Sequence, residues 1–409
     1  MKKVIVWIAM CSAAVVAVYA KPGEGIRLGN LAVSPFADLS ATYDSNVYLT
    51  RRDQQDDFFY DLVPGLAFIN RTDSLILNGR GWGQFRRYSD ATDLNSDGLG
   101  EKLGLLIGTE ENPSVTIEER YMQLDDYEIN PSSVDTLNME SRNLDLIEDR
   151  NERVKRDIFS VGGVAGHPLG EKFRLDAGYG FSFVNYDVRD LYDWNENKAQ
   201  LEGQYELTEK TSALLTGQYG AQSSDGFSDD SSLYLVRVGL FNHATGKTSI
   251  KVGVGYEDYS TVMTSADGES LDKDIFNFDA AGIWEATPKL RVELSARNGI
   301  QPATQYKDNT KEILLVALGA SYDVTDTVLL SLGGSHRRDD YVGKVQVNDQ
   351  FLSKERELWG GRARVDYRPH AKFYELYLEG TYENVDDNLQ DDYNNYDQLR
   401  VTVGVFLRY

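Results

Sequence analysis

The residues "VTVGVFLRY" (401–409) decide the fold. Val401, Val403, Val405, Leu407 and Tyr409 alternate with Thr402, Gly404, Phe406 and Arg408. A period of two marks a strand. This one runs to the last residue of the sequence and ends on an aromatic. Terminal residues fray unless something ties them down. The strand is therefore expected to be paired, with its partner supplied by the rest of the chain.

Working outward, the 409 residues include 25 Tyr and 36 Gly but only 9 Pro, a composition that suits twisted strands with aromatic ends. The mean hydropathy of -0.44 argues against a bundle of membrane helices. It leaves open a barrel in which only alternate strand residues meet lipid. Beyond residue 20 no apolar helical stripe is sustained. One unit recurs instead: a strand long enough to cross a bilayer at a tilt, about 9–11 residues or slightly more, then a tight turn, a second strand and a longer polar loop.

The tight turns are "NRTDS" (70–74), "EENPS" (110–114), "HPLGEK" (167–172), "LTEKT" (207–211), "ATGK" (244–247), "ATPK" (286–289), "VTDT" (324–327) and "RPHA" (368–371). The longer loops lie near 44–57, 89–96, 128–152, 188–193, 222–230, 261–270, 302–309, 341–352 and 386–394. Together they imply an all-β fold: a single closed antiparallel transmembrane β-barrel of about 18 strands, with short periplasmic turns and long extracellular loops. Residues 401–409 would close it against a first strand near 33–43. An open edge in hydrocarbon would leave backbone groups unsatisfied. The alternating apolar set Val401, Val403, Val405, Leu407 and Tyr409 also looks like the signal read by the bacterial barrel-assembly machinery. A soluble β-sandwich with a buried last strand is the competing reading.

The strands alternate as a barrel needs. Phe173, Leu175, Ala177, Tyr179, Phe181 and Phe183 share one face, with Arg174 and Asp176 on the other. Arg or Lys facing lipid at mid-bilayer costs about 2–4 kcal/mol, so the charged faces turn inward. Three places break the pattern. Residues 314–318 are apolar on both faces, Glu119 falls on the lipid face, and Pro64-Gly65 suggests a bulge or kink in the second strand.

The start, "MKKVIVWIAMCSAAVVAVYA", reads as a signal peptide: Lys2 and Lys3, an apolar run, and cleavage after Ala20. A membrane anchor is the alternative, but the run is short and no stop-transfer charges follow. Cys11 is the only cysteine. The expected organisation is a signal peptide (1–20), a periplasmic N-terminal segment (21–32) and an outer-membrane barrel (33–409). The net charge of -23 disfavours nucleic acid as a partner. The expected partners are outer-membrane lipid, the assembly machinery, a polar solute or polysaccharide and, as a candidate, a second copy of the chain.

Three stretches in the first third, "ATYDSNVYLT" (41–50), "DLVPGLAF" (61–68) and "GQFRRYSD" (83–90), resemble the opening of a bacterial family of outer-membrane β-barrel porins. That family is associated with exopolysaccharide biosynthesis operons. The resemblance implies an outer-membrane barrel and a role in polymer passage. It brings no catalytic residues.

No catalytic, metal or cofactor site stands out. His167, His243, His336 and His370 are scattered, without metal-ligand spacing. Acidic loop clusters such as Asp53, Asp56 and Asp57, or Asp386, Asp387, Asp391 and Asp392, suit either divalent cations or a solvated outer surface. The pore-lining candidates are Arg80, Arg86, Arg120, Arg156, Arg174, Arg291, Arg297, Arg362 and Arg364, with Arg237, Lys251, Arg337, Arg400 and Arg408 also placed inward. Against them stand Glu118, Asp176, Glu202, Glu206, Glu257, Asp279, Glu293, Asp366, Glu375 and Glu379. Such charges either select solutes or pair with one another and fill the barrel. The long loop 128–152 is expected either to fold inward and narrow the lumen or to lie over the rim. The function expected is a channel for polar or charged solutes, with a structural or surface-anchoring barrel of blocked lumen as the alternative.

Overall fold

The computed structural model describes residues 25–108, 113–124, 155–186, 193–224, 227–261, 271–302, 310–347, 350–369, 373–389 and 395–409. For 224, 227–230, 301–302, 345–347 and 350–351 it describes the backbone alone. The expected signal peptide, loop 128–152, His370, Asp391 and Asp392 lie outside these residues.

Eighteen strands form the wall. They are β1 (Leu31–Asp44), β2 (Asp57–Arg71), β3 (Leu75–Tyr88), β4 (Ser96–Ile107), β5 (Ser114–Leu124) and β6 (Arg156–Pro168). Then come β7 (Phe173–Tyr186), β8 (Trp194–Thr208), β9 (Thr211–Ser224), β10 (Phe227–Thr245), β11 (Thr248–Thr261) and β12 (Lys273–Thr287). The last six are β13 (Leu290–Pro302), β14 (Thr310–Thr325), β15 (Val328–Tyr341), β16 (Glu355–Tyr367), β17 (Tyr374–Asp387) and β18 (Tyr396–Arg408). Sequence neighbours pair antiparallel throughout. The last strand returns to the first, with Phe36 opposite Arg408 and Asp44 opposite Arg400. Closure removes the free edge that hydrocarbon would not tolerate. Among the described residues no helix is long and apolar enough to cross a membrane, so the strands make the crossing.

A short additional strand, Ile26–Leu28, folds back on β1 with Ile26 opposite Val33. Gly29 adopts φ +63 in the turn, a left-handed conformation that glycine takes without a Cβ penalty. The Tyr409 N–H donates to the Pro35 carbonyl at 2.9 Å. The closing seam of β1 is thus covered by β18 and, below Pro35, by this strand.

The six tight turns that lie wholly within the described residues all join strand pairs on one rim. Two of the longer loops differ from expectation. Between β9 and β10 the ladder continues to Ser224 opposite Phe227, past a bulge between Gln222 and Ser224. Polar residues on both faces there hide the strand from a reading based on apolar period. The 341–352 loop carries its own two-stranded ladder, Val345–Val347 with Gln350–Leu352. Pro64-Gly65 makes no bulge. The register from Leu62 opposite Phe85 to Gly65 opposite Trp82 is unshifted, and only the pairs at Val63 and Pro64 are missing from the β3 side. Proline lacks the donor but keeps the strand geometry.

The side chains alternate as expected. Val401 and Val403 on β18 and Val252 and Val254 on β11 are exposed on the outer face, where lipid lies. Glu119 is also outward, opposite Leu103, and its diagonal neighbour Glu101 joins it. Ile313, Leu315 and Ala317 point inward while Leu314, Val316 and Leu318 point outward, so that stretch is apolar on both faces. The fully buried apolar side chains gather at the extracellular mouth. There Leu49 packs with Leu358, Val385 and Tyr396, and Val47 with Phe59, Tyr88 and Ala91.

Candidate functional site in the barrel lumen

Residues two apart on a strand share a face. That rule builds four of the ion pairs on the inner wall. Arg174 reaches Asp176 at 2.9 Å, Arg291 reaches Glu293 at 2.6 Å, Arg337 reaches Asp339 at 2.5 Å and Arg364 reaches Asp366 at 2.6 Å. Cross-strand pairs add Arg86 to Asp61 at 2.8 Å, Arg362 to Glu379 at 2.5 Å, Arg364 to the same Glu379 at 3.2 Å, and Arg400 to Asp44 at 3.1 Å. Arg156 and Arg297 also face inward, on β6 and β13, and both have partners. Arg80 and Arg120 differ: neither forms an ion pair with a carboxylate among the described residues. The excess of base expected from the sequence is offset by inward acids it left out, among them Asp38, Asp44, Asp61, Asp339, Glu383 and Asp387. A buried polar cluster joins the wall at β10–β13. Arg237 donates to Asn277 at 3.0 and 2.6 Å and to Asp279 at 3.2 Å, and the Asn277 amide donates to Glu257 and, at 2.9 Å, to the Asn298 carbonyl.

Flat aromatic rings line the periplasmic half of the β16–β18 and β1–β4 sector. Phe36, Trp82 and Tyr377 each sit directly opposite a glycine: Gly65, Gly100 and Gly404. A Cβ at any of these three glycines would collide with the ring. The missing side chains let the rings lie against the wall. Guanidinium groups then cover the rings: Arg80 over Phe36 at 4.1 Å, and Arg364 over Tyr377 at 4.1 Å. Phe406 stacks on Phe36 with centroids 5.8 Å apart, and the Tyr377 hydroxyl donates to Asp38 at 3.0 Å.

The first outer loop, 45–56, turns into the mouth. Asn46 is wholly buried and fixes it. Its amide donates to the Thr50 and Asp397 carbonyls at 2.7 and 3.0 Å, and its side-chain oxygen accepts the Thr50 N–H at 3.0 Å. Its own N–H donates to Asp44, which also accepts from Gln398 and Arg400. Leu49 and Asp53 both hold φ +54, a conformation that non-glycine residues adopt at a cost. The outcome is that Leu49, 2% exposed, is wedged against inward side chains of β16, β17 and β18. Burying a leucine recovers about 1.5–3 kcal/mol, enough to offset one such strain. Deeper along the rim, Lys354 and Asp387 form a fully buried pair at 2.9 Å.

A sequence-family model described as "Putative beta-barrel porin 2" matches residues 21–409. The chain belongs to this family. It is a porin-like β-barrel of the bacterial outer membrane. Solved structures similar to it include opdK, an outer membrane protein of Pseudomonas aeruginosa, at 11% identity over 92% of this chain and 99% of that chain, TM-score 0.43. OccAB4 of Acinetobacter baumannii is similar at 10% identity over 92% and 98%, TM-score 0.47. The FrpB iron transporter of Neisseria meningitidis is similar at 8% identity over 92% and 81%, TM-score 0.46. Curated protein sequences give no match.

In this porin the three stretches that carry the family resemblance meet in one corner of the mouth. Residues 41–50 supply the inward loop. Asp61 accepts two hydrogen bonds of 2.8 Å from Arg86, whose guanidinium lies 4.2 Å from the Phe59 ring. Tyr88 packs against Val47. Sequence reasoning missed the loop's inward turn, the ring-over-glycine pairs and the inward Lys102. Glu101 and Lys102 are adjacent and of opposite charge, which blurs the facing of β4. Among the described residues no group of three or more His, Cys, Asp or Glu is placed to hold a metal ion.

Proposed function

We propose that the barrel passes polar or charged solutes passively, through a mouth narrowed by the first outer loop. The observation that carries this reading is the polar wall itself: charges such as Arg80 and Lys102 face the lumen and remain exposed. A barrel of this strand number has room for an aqueous lumen. Charged rings in such a lumen set what passes. The test is conductance of the purified protein in planar bilayers. Deleting 47–54 should raise single-channel conductance several-fold. No current from either the wild type or the deletion would reject the channel.

The second reading is a structural or surface-anchoring barrel whose lumen is blocked. It draws on the buried packing at the mouth, where Leu49, Lys354 and Asp387 fill space next to the wall. Passage of polysaccharide is a narrower form of the channel reading. Of the three flat rings only the half-buried Trp82 supports it, since Phe36 and Tyr377 are buried beneath Arg80 and Arg364. Swelling of proteoliposomes in oligosaccharide solutions tests it, and exclusion of every oligosaccharide would remove it.

A further inference from the structure

The register sets three cations in one transverse line on the inner wall. Arg80 on β3 lies directly opposite Lys102 on β4, and Lys102 directly opposite Arg120 on β5. Directly opposed residues on one face have Cβ atoms about 4.5–5.5 Å apart, and like charges so placed destabilise a sheet. Arg174, Arg291, Arg337 and Arg364 each carry a carboxylate two residues further along their strands. After Arg80, Lys102 and Arg120 that position holds Trp82, Gly104 and Met122, and the one acid two residues away on the same face is Glu118, before Arg120.

The three groups are nonetheless held in place. Arg80 lies over Phe36 and 5.7 Å from the Trp82 ring. Arg120 donates to the Met122 sulfur at 2.9 and 3.3 Å, a weak acceptor chosen in the absence of a better one. Lys102 makes no hydrogen bond or ion pair among the described residues and is exposed to the lumen. Two carboxylates stand near the row, and neither forms an ion pair with it among the described residues. Asp38 accepts the Tyr377 hydroxyl and is attracted to both Arg80 and Arg364, and Glu118 stands two residues before Arg120 and diagonal to Lys102.

We propose that Arg80, Lys102 and Arg120 form an anion-binding station in the lumen, for the carboxylate or phosphate group of a passing solute. The inference rests on the channel reading and narrows its solute class. Two forks and a point charge in line offer several charge-assisted donors to one oxyanion, and its binding relieves their mutual repulsion.

The test uses the whole mature protein in detergent, titrated calorimetrically with inorganic phosphate and, separately, with acetate. Saturable binding of either is expected. Lys102→Gln and Arg120→Gln should each weaken it roughly tenfold, and Lys102→Arg should restore most of it. Lys289→Gln, in a periplasmic turn, controls for general charge, and heat-modifiability controls for folding. Wild-type protein that binds neither anion, or binding that survives Lys102→Gln with Arg120→Gln in a folded barrel, overturns the station. Bilayer conductance is read in parallel. Anion binding without conductance would keep the station and reject the channel; conductance without row-dependent binding would do the reverse.

Discussion

On β15–β17, Arg337 holds Asp339, Arg364 holds Asp366, and Glu379 is shared by Arg362 and Arg364. On β3–β5, Arg80, Lys102 and Arg120 face the same lumen with no carboxylate bound to them among the described residues. Both sectors are strongly charged. The first spends its charge on itself, as cross-links that stiffen the wall. The second leaves its charge available to whatever occupies the lumen. The difference follows from where the acids stand: in the paired sector they lie two residues after an arginine or on the facing strand within its reach, whereas Trp82, Gly104 and Met122 follow the three cations of the second.

Four experiments press on that contrast. The paired sector adjoins the closing seam, so the largest effect is expected there. Deleting 405–409 should abolish membrane-inserted, heat-modifiable protein, because the β1 edge then opens into lipid. Lys102→Ala should insert normally, and equal insertion of the two would erase the distinction. Next, Glu379→Ala removes the acceptor shared by two partly buried guanidinium groups and should cost on the order of 2–3 kcal/mol, read as a lower heat-modification midpoint. Arg120→Met should leave that midpoint unchanged or raise it. Third, Arg80→Glu with Arg120→Glu should move the reversal potential in a KCl gradient toward cation preference by a few-fold in permeability ratio. An unmoved potential would show that the row does not face the conducting path. The smallest effect concerns salt. Wild-type anion preference should fade between about 0.1 and 1 M KCl, as the screening length falls from about 10 Å to 3 Å. The paired sector should show no salt-dependent loss of stability of comparable size.

The barrel was legible from its sequence because closure in lipid imposes a strict alternation, and strands such as 173–183 and 401–409 display it without ambiguity. Every tight turn carried its own chemistry. The charged pairs were also legible in principle: R-x-D or R-x-E recurs as Arg174/Asp176, Arg291/Glu293, Arg337/Asp339 and Arg364/Asp366. The row on β3–β5 was not, since it depends on the relative register of three strands, which no single strand encodes. The inward first loop was hidden for another reason. "SNVYLT" (45–50) reads as an ordinary polar loop until Asn46 meets Asp397, a residue near the other end of the chain.

Asn46 ties the loop to β18 as well as to itself, and Leu49 and Val47 sit at opposite sides of its turn in separate apolar clusters. Such a segment has no small hinge motion available: moving it exposes two buried side chains and breaks several hydrogen bonds together. Its opening is therefore a rare sub-global event rather than a fast fluctuation. In an electrical recording that rigidity appears as quiet. The open-channel current should lack the millisecond flicker of a swinging loop. Asn46→Ala, which loosens the anchor and keeps the sequence length, should bring the flicker in as excess noise at unchanged mean conductance.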